Sequence, residues 1–494
     1  MGIALLLAGA ARGETARSRA EVGGYFRVMA RPDLQGGTGT LGYWNLYGRL
    51  MNEGPWAALE LKVDLLRPTP GSREPWASAH FKIEGGSVMG ADAAGGTLAA
   101  FRMSQLYVRA GNVLLPEVEW QIGTLDTWMG DLGLYDMKPA QILFETVGIS
   151  ATWRSRDVDL LVGAGDSGFF LRGLDYSPVL TTGALVRWRV VSGHLELGGG
   201  GAFYFEPEVP GNPNAPHTTP GIDYADLVRG EVVENWLRDH PGQEDLFYRD
   251  RPPEARAASS YKVVFYLGFG GLGPIKWNNL FANTLRRHPD NFVTETYGGR
   301  EWTLWVTGLT DERYEVNVGN EMQLELWPGR LDAVWGLLYG HDWNEDNEVA
   351  AGEDNRVFYS TVLRFQLYLS STLHLLLEGS VARERSLNGN LFRLAHDSIF
   401  RSTGGKADAR GLEYGDTDTR ETLQLKAGPV LNPTGLGIFA RPSLRLLVGL
   451  QQSNVHAAFG RNVVDTLDEY NRLAIESRSV YTHVVVGLEA EAWF

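Results

Sequence analysis

Residues 483–494 read HVVVGLEAEAWF. In an extended chain, successive side chains point to opposite faces. Val484, Val486, Leu488, Ala490, Ala492 and Phe494 then share one side, and His483, Val485, Gly487, Glu489, Glu491 and Trp493 share the other. One side is apolar and the other carries two carboxylates. Chain ends usually fray unless something ties them down. This one ends as an amphipathic strand closed by two aromatic rings, so it is built to be held in a sheet.

The same period of two recurs upstream. In WAALELKVDL (56–65), Trp56, Ala58, Glu60, Lys62 and Asp64 oppose Ala57, Leu59, Leu61, Val63 and Leu65. In 77–84, Ser78, His80, Lys82 and Glu84 oppose Ala77, Ala79, Phe81 and Ile83. In 313–326, Arg313, Glu315, Asn317, Glu321, Gln323 and Glu325 oppose Tyr314, Val316, Val318, Met322, Leu324 and Leu326. Arg364, Gln366 and Tyr368 oppose Leu363, Phe365, Leu367 and Leu369. A soluble sandwich alternates too, but in shorter strands. Here segments of about ten residues recur, with aromatics near their ends and turns alternating short with long. That is the pattern of a transmembrane β-barrel, apolar toward lipid and polar toward the lumen. Closure also removes the unpaired edges that a membrane does not tolerate. The expected fold is all-β: one antiparallel transmembrane barrel of about 18 strands, a count that follows large pore-forming barrels.

Composition agrees. The chain has 494 residues, of which 60 are Gly, and it carries 15 Trp, 19 Tyr and 20 Phe, a mix that suits a large sheet better than helices. No run of 18 apolar residues offers a membrane-spanning helix. The net charge of −15, with no Lys/Arg block, argues against nucleic acid as a partner. The absence of Cys excludes disulfides and thiol chemistry and fits a chain that crosses an oxidising periplasm. The start, MGIALLLAGAARGE (1–14), has an apolar stretch and a small-residue cleavage site at Ala8-Gly9-Ala10, and reads as a signal peptide with a clipped n-region. Residues 15–494 then form one barrel domain in an outer membrane of the Gram-negative type. The polar, Gly/Pro-rich stretches 207–257, 342–356 and 384–418 read as its extracellular loops. A last strand ending on an aromatic resembles the signal that outer-membrane assembly machinery recognises.

Catalytic signatures are weak. His341-Asp342 and His396-Asp397 are adjacent pairs whose members point to opposite faces of a strand. Gly-x-Ser-x-Gly, His-Glu-x-x-His and Gly-x-x-x-x-Gly-Lys are absent. The expectation is no enzyme and no cofactor. DWNEDNEVAAGE places Asp342, Asn344, Asp346, Glu348 and Glu353 near calcium-loop spacing, but without the glycine that makes the sharp turn. An acidic solvated loop is the simpler reading.

Several blocks, in order, resemble the maltoporin family of sugar-specific outer-membrane porins. They are GGYFRV (23–28), GRLMNE (48–53), ALELKV (58–63), LYVRAGN (106–112), EWQIG (119–123), MGDLGLYDMK (129–138), FARPSLRLLVG (439–449) and GLEAEAWF (487–494). They cover about a third of the chain. The resemblance implies 18 strands, a third loop folded into the lumen, a homotrimer and passive diffusion of oligosaccharides. Such pores set flat aromatic faces against the sugar's C–H faces and run a track of charged groups past its hydroxyls. Many equivalent charge-assisted bonds let a sugar slide without a deep trap.

On this resemblance the aromatic ladder maps to Tyr25, Trp56, Tyr368 and Trp493, with Trp56 standing in for a family tyrosine that is Ala58 here. The polar track and constriction map to Arg27, Arg49, Glu60, Arg102, Asp131, Asp136 and Lys138. Arg102 stands two residues from the family position, which is Ser104. Other departures are Met51 for a glycine, Met129 for an arginine and Lys138 for the constriction tyrosine. The second loop, GGSVMGADAAGGT, has no tryptophan to lend a neighbouring subunit. These changes separate "carbohydrate porin" from "maltodextrin porin". The competing readings are a general ion and small-solute porin, and a barrel without transport function, either an enzyme or an adhesin.

Overall fold

The computed structural model describes residues 19–30, 44–67, 73–86, 102–168, 178–207, 222–223, 257–287, 292–297, 300–307, 313–344, 356–386, 418–453 and 482–494. The signal-peptide reading, most of the three long loops, and Asp346, Glu348 and Glu353 lie outside these residues. So does the side chain of Asn344. Of the calcium candidates only Asp342 remains, buried at the end of its strand.

The chain forms β1 (Ala20–Ala30), β2 (Trp56–Leu66), β3 (Trp76–Gly86), β4 (Arg102–Gly111), β5 (Val118–Trp128), β6 (Gln141–Arg154) and β7 (Val158–Asp166). These are followed by β8 (Leu180–Val191), β9 (Leu195–Glu206), β10 (Ile222–Asp223), β11 (Ala258–Leu272), β12 (Ile275–Arg287), β13 (Phe292–Tyr297) and β14 (Arg300–Thr307). The last seven are β15 (Arg313–Trp327), β16 (Leu331–Asn344), β17 (Arg356–Tyr368), β18 (Leu373–Ser386), β19 (Asp418–Leu431), β20 (Ser443–Ser453) and β21 (Thr482–Trp493). A one-turn helix, α1 (Trp44–Tyr47), precedes β2.

Among the described residues, eighteen strands make one sheet in which each pairs antiparallel with its neighbours in the chain. β9 pairs with β11, and β12 with β15. β10, β13 and β14 form a separate three-stranded sheet on two of the long connections. β1 pairs with β21, Tyr25 opposite Trp493, and this closes the barrel. The expected fold holds.

Alternation sorts the two faces as the sequence demands. Leu59, Val186, Phe265, Leu363, Leu377, Leu446 and Leu488 stand exposed on the outside. Arg364, Gln366, Glu378, Gln424, Lys426, Glu489 and Glu491 are buried inside. An apolar band with no sheet edge belongs in lipid, and the polar inner face would be untenable there. The protein is an outer-membrane barrel. Short turns such as 155–157, 192–194 and 328–330 join the strands at one end of the barrel.

Among the described residues, three connections fold inward. The segment after β5, residues 129–140, lays Leu132, Leu134 and Tyr135 into an apolar patch of the inner wall that includes Val264, Phe281, Val334, Leu338 and Val362. Burying side chains of that size is worth roughly 1.5–3 kcal/mol each. Gly198 makes room for this loop, since a Cβ there would collide with the Met129 sulfur. The segment 44–55 also enters the lumen. Its Leu50 and Met51 pack on Leu376, Val430, Leu447 and Val485. Lys426 Nζ donates to the Tyr47 carbonyl at 3.1 Å. The turn after β19 brings Ile438 and Phe439 up to the apolar cluster beneath the 129–140 loop.

Candidate functional site

The infolded segments fill one side of the lumen and leave space along the wall of β1 to β6. Two cavities of about 520 and 650 Å³ lie there. They share Trp56, Glu60, Lys82, Glu84, Asp136 and Trp493, so they are two parts of one passage.

The first part is built where the barrel closes. Tyr25 and Arg27 point inward from β1, and Trp493 comes from the facing end of β21. The Tyr25 and Trp493 rings lie 4.6 Å apart, tilted by 45°. Trp493 is 61% exposed, whereas Tyr25 is only 9% exposed. Trp493 therefore offers the open face and Tyr25 supports it.

Tyr25 Oη donates to Glu491 Oε1 at 2.8 Å. Glu491 is also held by Arg49 Nη2 at 2.8 Å, Arg441 Nε at 2.7 Å and Arg445 Nη2 at 2.8 Å. A buried carboxylate with that many cationic partners is satisfied and rigid. Glu53 bridges Arg27 and Arg49, the latter at 3.1 Å. The guanidinium of Arg27 also donates to the Gly54 carbonyl at 2.9 and 2.7 Å. Arg49 N in turn donates to the Leu134 carbonyl at 2.8 Å, tying the two infolded connections together.

Glu53 and Asp136 sit on these connections, outside the spanning strands, and share a hydrogen bond. Two carboxyl groups can share one only if one keeps its proton. Burial pushes Glu53 up to about 8, against the pull of Arg49 and Arg27. Burial also works to raise Asp136, but Arg49 and the bond from Glu53 outweigh it and hold its carboxyl below the usual value. Of the two, Glu53 is the carboxyl that holds a proton to the higher pH.

In the second part, Tyr107, Trp128 and Phe144 join Trp56 and Trp493 around Ser104, Asp126, Lys138 and Gln141. Lys138 Nζ lies 3.6 Å from the centre of the Trp128 ring. Gln141 Nε2 donates to Asp126 at 2.6 Å. Lys82 pairs with Glu84 at 2.8 Å and Glu60 at 3.7 Å.

The structure brings together Tyr25, Trp56, Trp493, Arg27, Arg49, Glu60, Asp136 and Lys138. Two expected members stand elsewhere. Tyr368 is 3% exposed on the far wall, its hydroxyl donating to Asp332 at 2.6 Å and its ring against His374. It faces the lumen side as its period demands, but packing closes over it. Asp131 is in the lining of neither cavity: Asn279 donates to its backbone carbonyl at 3.1 Å, while its exposed carboxylate stays within electrostatic reach of Asp136, Lys138 and Arg49. Arg102 pairs in β4 opposite Glu84, and its side chain is outside the described residues. Met129, which the sequence resemblance puts at the constriction, is buried against the wall rather than facing the passage.

Sequence reasoning passed over Glu53, Tyr107, Asp126 and Trp128. Glu53 stood inside the quoted GRLMNE block. Lys82 and Glu84 were already on the polar face of their strand, and only their role was missing. For Trp128, at the last position of β5, no pattern distinguished a lumen ring from a girdle ring.

No protein-family model matches the chain, and no curated protein matches it. Among solved structures it is similar to the outer membrane channel DcaP of Acinetobacter baumannii, at 10% identity over 96% of this chain and 97% of that one, with a TM-score of 0.43. It is also similar to Pseudomonas aeruginosa OpdK with vanillate, at 9% identity over 96% and 98% and a TM-score of 0.38. Salmonella typhi OmpF in complex with daunomycin follows at 9% over 96% and 97%, with a TM-score of 0.36. What this barrel passes is read from its own lumen.

Proposed function

We propose that the protein is a passive diffusion channel for sugars and oligosaccharides across the outer membrane, working as a homotrimer and not as an enzyme. The observation that carries this reading is the passage wall, where the rings of Trp493, Trp56, Tyr107 and Trp128 alternate with charged groups that are mostly paired already. Ring faces suit the apolar faces of a sugar. Charges held in pairs, as in Lys82 with Glu84 and Glu60, present fixed donors and acceptors to hydroxyls. A general porin has charged walls too, but has little use for aromatic rings along a wet lumen, two of them, Trp493 and Trp128, exposed.

Single-channel recording in planar bilayers with a panel of oligosaccharides tests the reading. Concentration-dependent block of the open current is expected. Steady current with no block by any sugar would leave a general ion and small-solute porin. No current at all would point to a barrel that serves as an adhesin or enzyme.

A further inference from the structure

We infer that the Trp128 chamber is an ammonium seat, occupied at rest by the protein's own Lys138, and that the sugars favoured by this passage are amino sugars with a free protonated amine. The inference rests on the sugar-channel reading above and names its substrate class.

The geometry is that of a bound cation. The Lys138 ammonium lies 3.6 Å from the Trp128 ring centre, inside the range in which an indole attracts a cation. Among the described residues no carboxylate pairs with Lys138 at ion-pair distance. It is held by the ring and by the fields of two carboxylates, Asp126, which lines the same chamber, and Asp131 on its own loop. The surroundings favour positive charge. Glu60, Glu84, Asp126 and Asp136 line the chamber against Lys82 and Lys138, four carboxylates to two amines, a formal balance of −2. If Lys138 swings off the ring, Trp128 and Asp126 face the passage with the charge balance unchanged. A solute amine can then take the place that the lysine amine left.

Lys138 is suited to leave. It sits on the last turn of the infolded loop, exposed, on a flexible four-carbon stem. Trp128 stays, fixed at the end of β5 and opposite Gln141 of β6. Exchange of one amine for another costs little, so the seat can select without trapping, which a channel requires. The free amine at each sugar ring also lets successive residues step through the same seat.

The test compares two oligosaccharides of equal length and linkage, β-1,4-linked glucosamine and its N-acetylated counterpart, at a pH that keeps the free amines protonated. Block constants are measured in planar bilayers for the wild type, Lys138→Ala, Lys138→Ala/Trp128→Leu and Asp126→Asn, after gel heat-modifiability has confirmed folded barrels. The wild type should bind the free-amine oligomer more tightly than the acetylated one. Lys138→Ala should tighten it further, on the order of 3- to 30-fold, the factor expected when a competing cation leaves an indole face. Adding Trp128→Leu should erase most of that gain, and Asp126→Asn should weaken the free-amine oligomer alone. If Lys138→Ala and the double variant gain equally, only the net field acts and the seat is wrong. If the two oligomers block the wild type alike, the amino-sugar class is wrong and the sugar channel stands. If neither blocks, both readings fall.

Discussion

Replacing Trp493 by alanine should weaken sugar block while leaving the barrel intact. The ring is 61% exposed, so truncation removes little buried area and costs little stability. What is lost is a face. Its lower side rests on Tyr25 at 4.6 Å, and the other side is free for a solute. Stacking between rings is worth roughly 0.5–1.5 kcal/mol beyond area burial, taken here as the measure for a sugar on a ring. That converts to a block constant weaker by about 2- to 13-fold. Tyr25→Ala should give a similar loss by a different route, since it removes the support beneath Trp493 and the bond to Glu491. Tyr25→Phe keeps the support and should lose less. Open current in plain salt should stay level or rise, because bulk has left the passage. The assay is a titration of single-channel block with a maltodextrin or other neutral oligosaccharide. Unchanged constants in both alanine variants would refute the reasoning and demote these rings to lining.

Other outcomes follow from the same geometry. Raising the pH through about 8 should remove the proton that Glu53 shares with Asp136, adding one negative charge to the passage, and reversal potentials in a salt gradient should move toward cation preference; Glu53→Gln should abolish that shift. Phe494 exchanges two backbone bonds with Gly24, whose missing side chain accommodates its ring, so Gly24→Val or deletion of Phe494 should sharply reduce heat-modifiable barrel on a gel. Glu321 accepts from Leu134 N at 2.7 Å inside the lumen; Glu321→Ala leaves that donor unpaired at a cost of about 1–3 kcal/mol, and open-channel current noise should increase as the infolded loop loosens. The trimer proposal is checked by migration in SDS before and after boiling, where an identical position would refute it.

The sequence alone determined the barrel. A period of two with one apolar face leaves few choices, because a slip of one residue would turn every lumen carboxylate into lipid. It thereby placed Arg364, Gln366, Glu489 and Glu491 on the inside, and it made Tyr25 and Trp493 neighbours, since first and last strands must pair to close. The chain order of the blocks also located the infolded loop after β5. Only the tertiary structure decided how the lumen is filled. Nothing local announces that 44–55 and the turn after β19 also fold inward, because their apolar residues are matched by patches on strands hundreds of residues away, such as Leu376, Val430 and Leu447. That filling pushes the passage against β1 to β6, buries Tyr368 and leaves Trp128 and Lys138 facing open space. Alternation decides which face a side chain takes. Whether that face is wet depends on what packs over it, and the packing belongs to the whole fold.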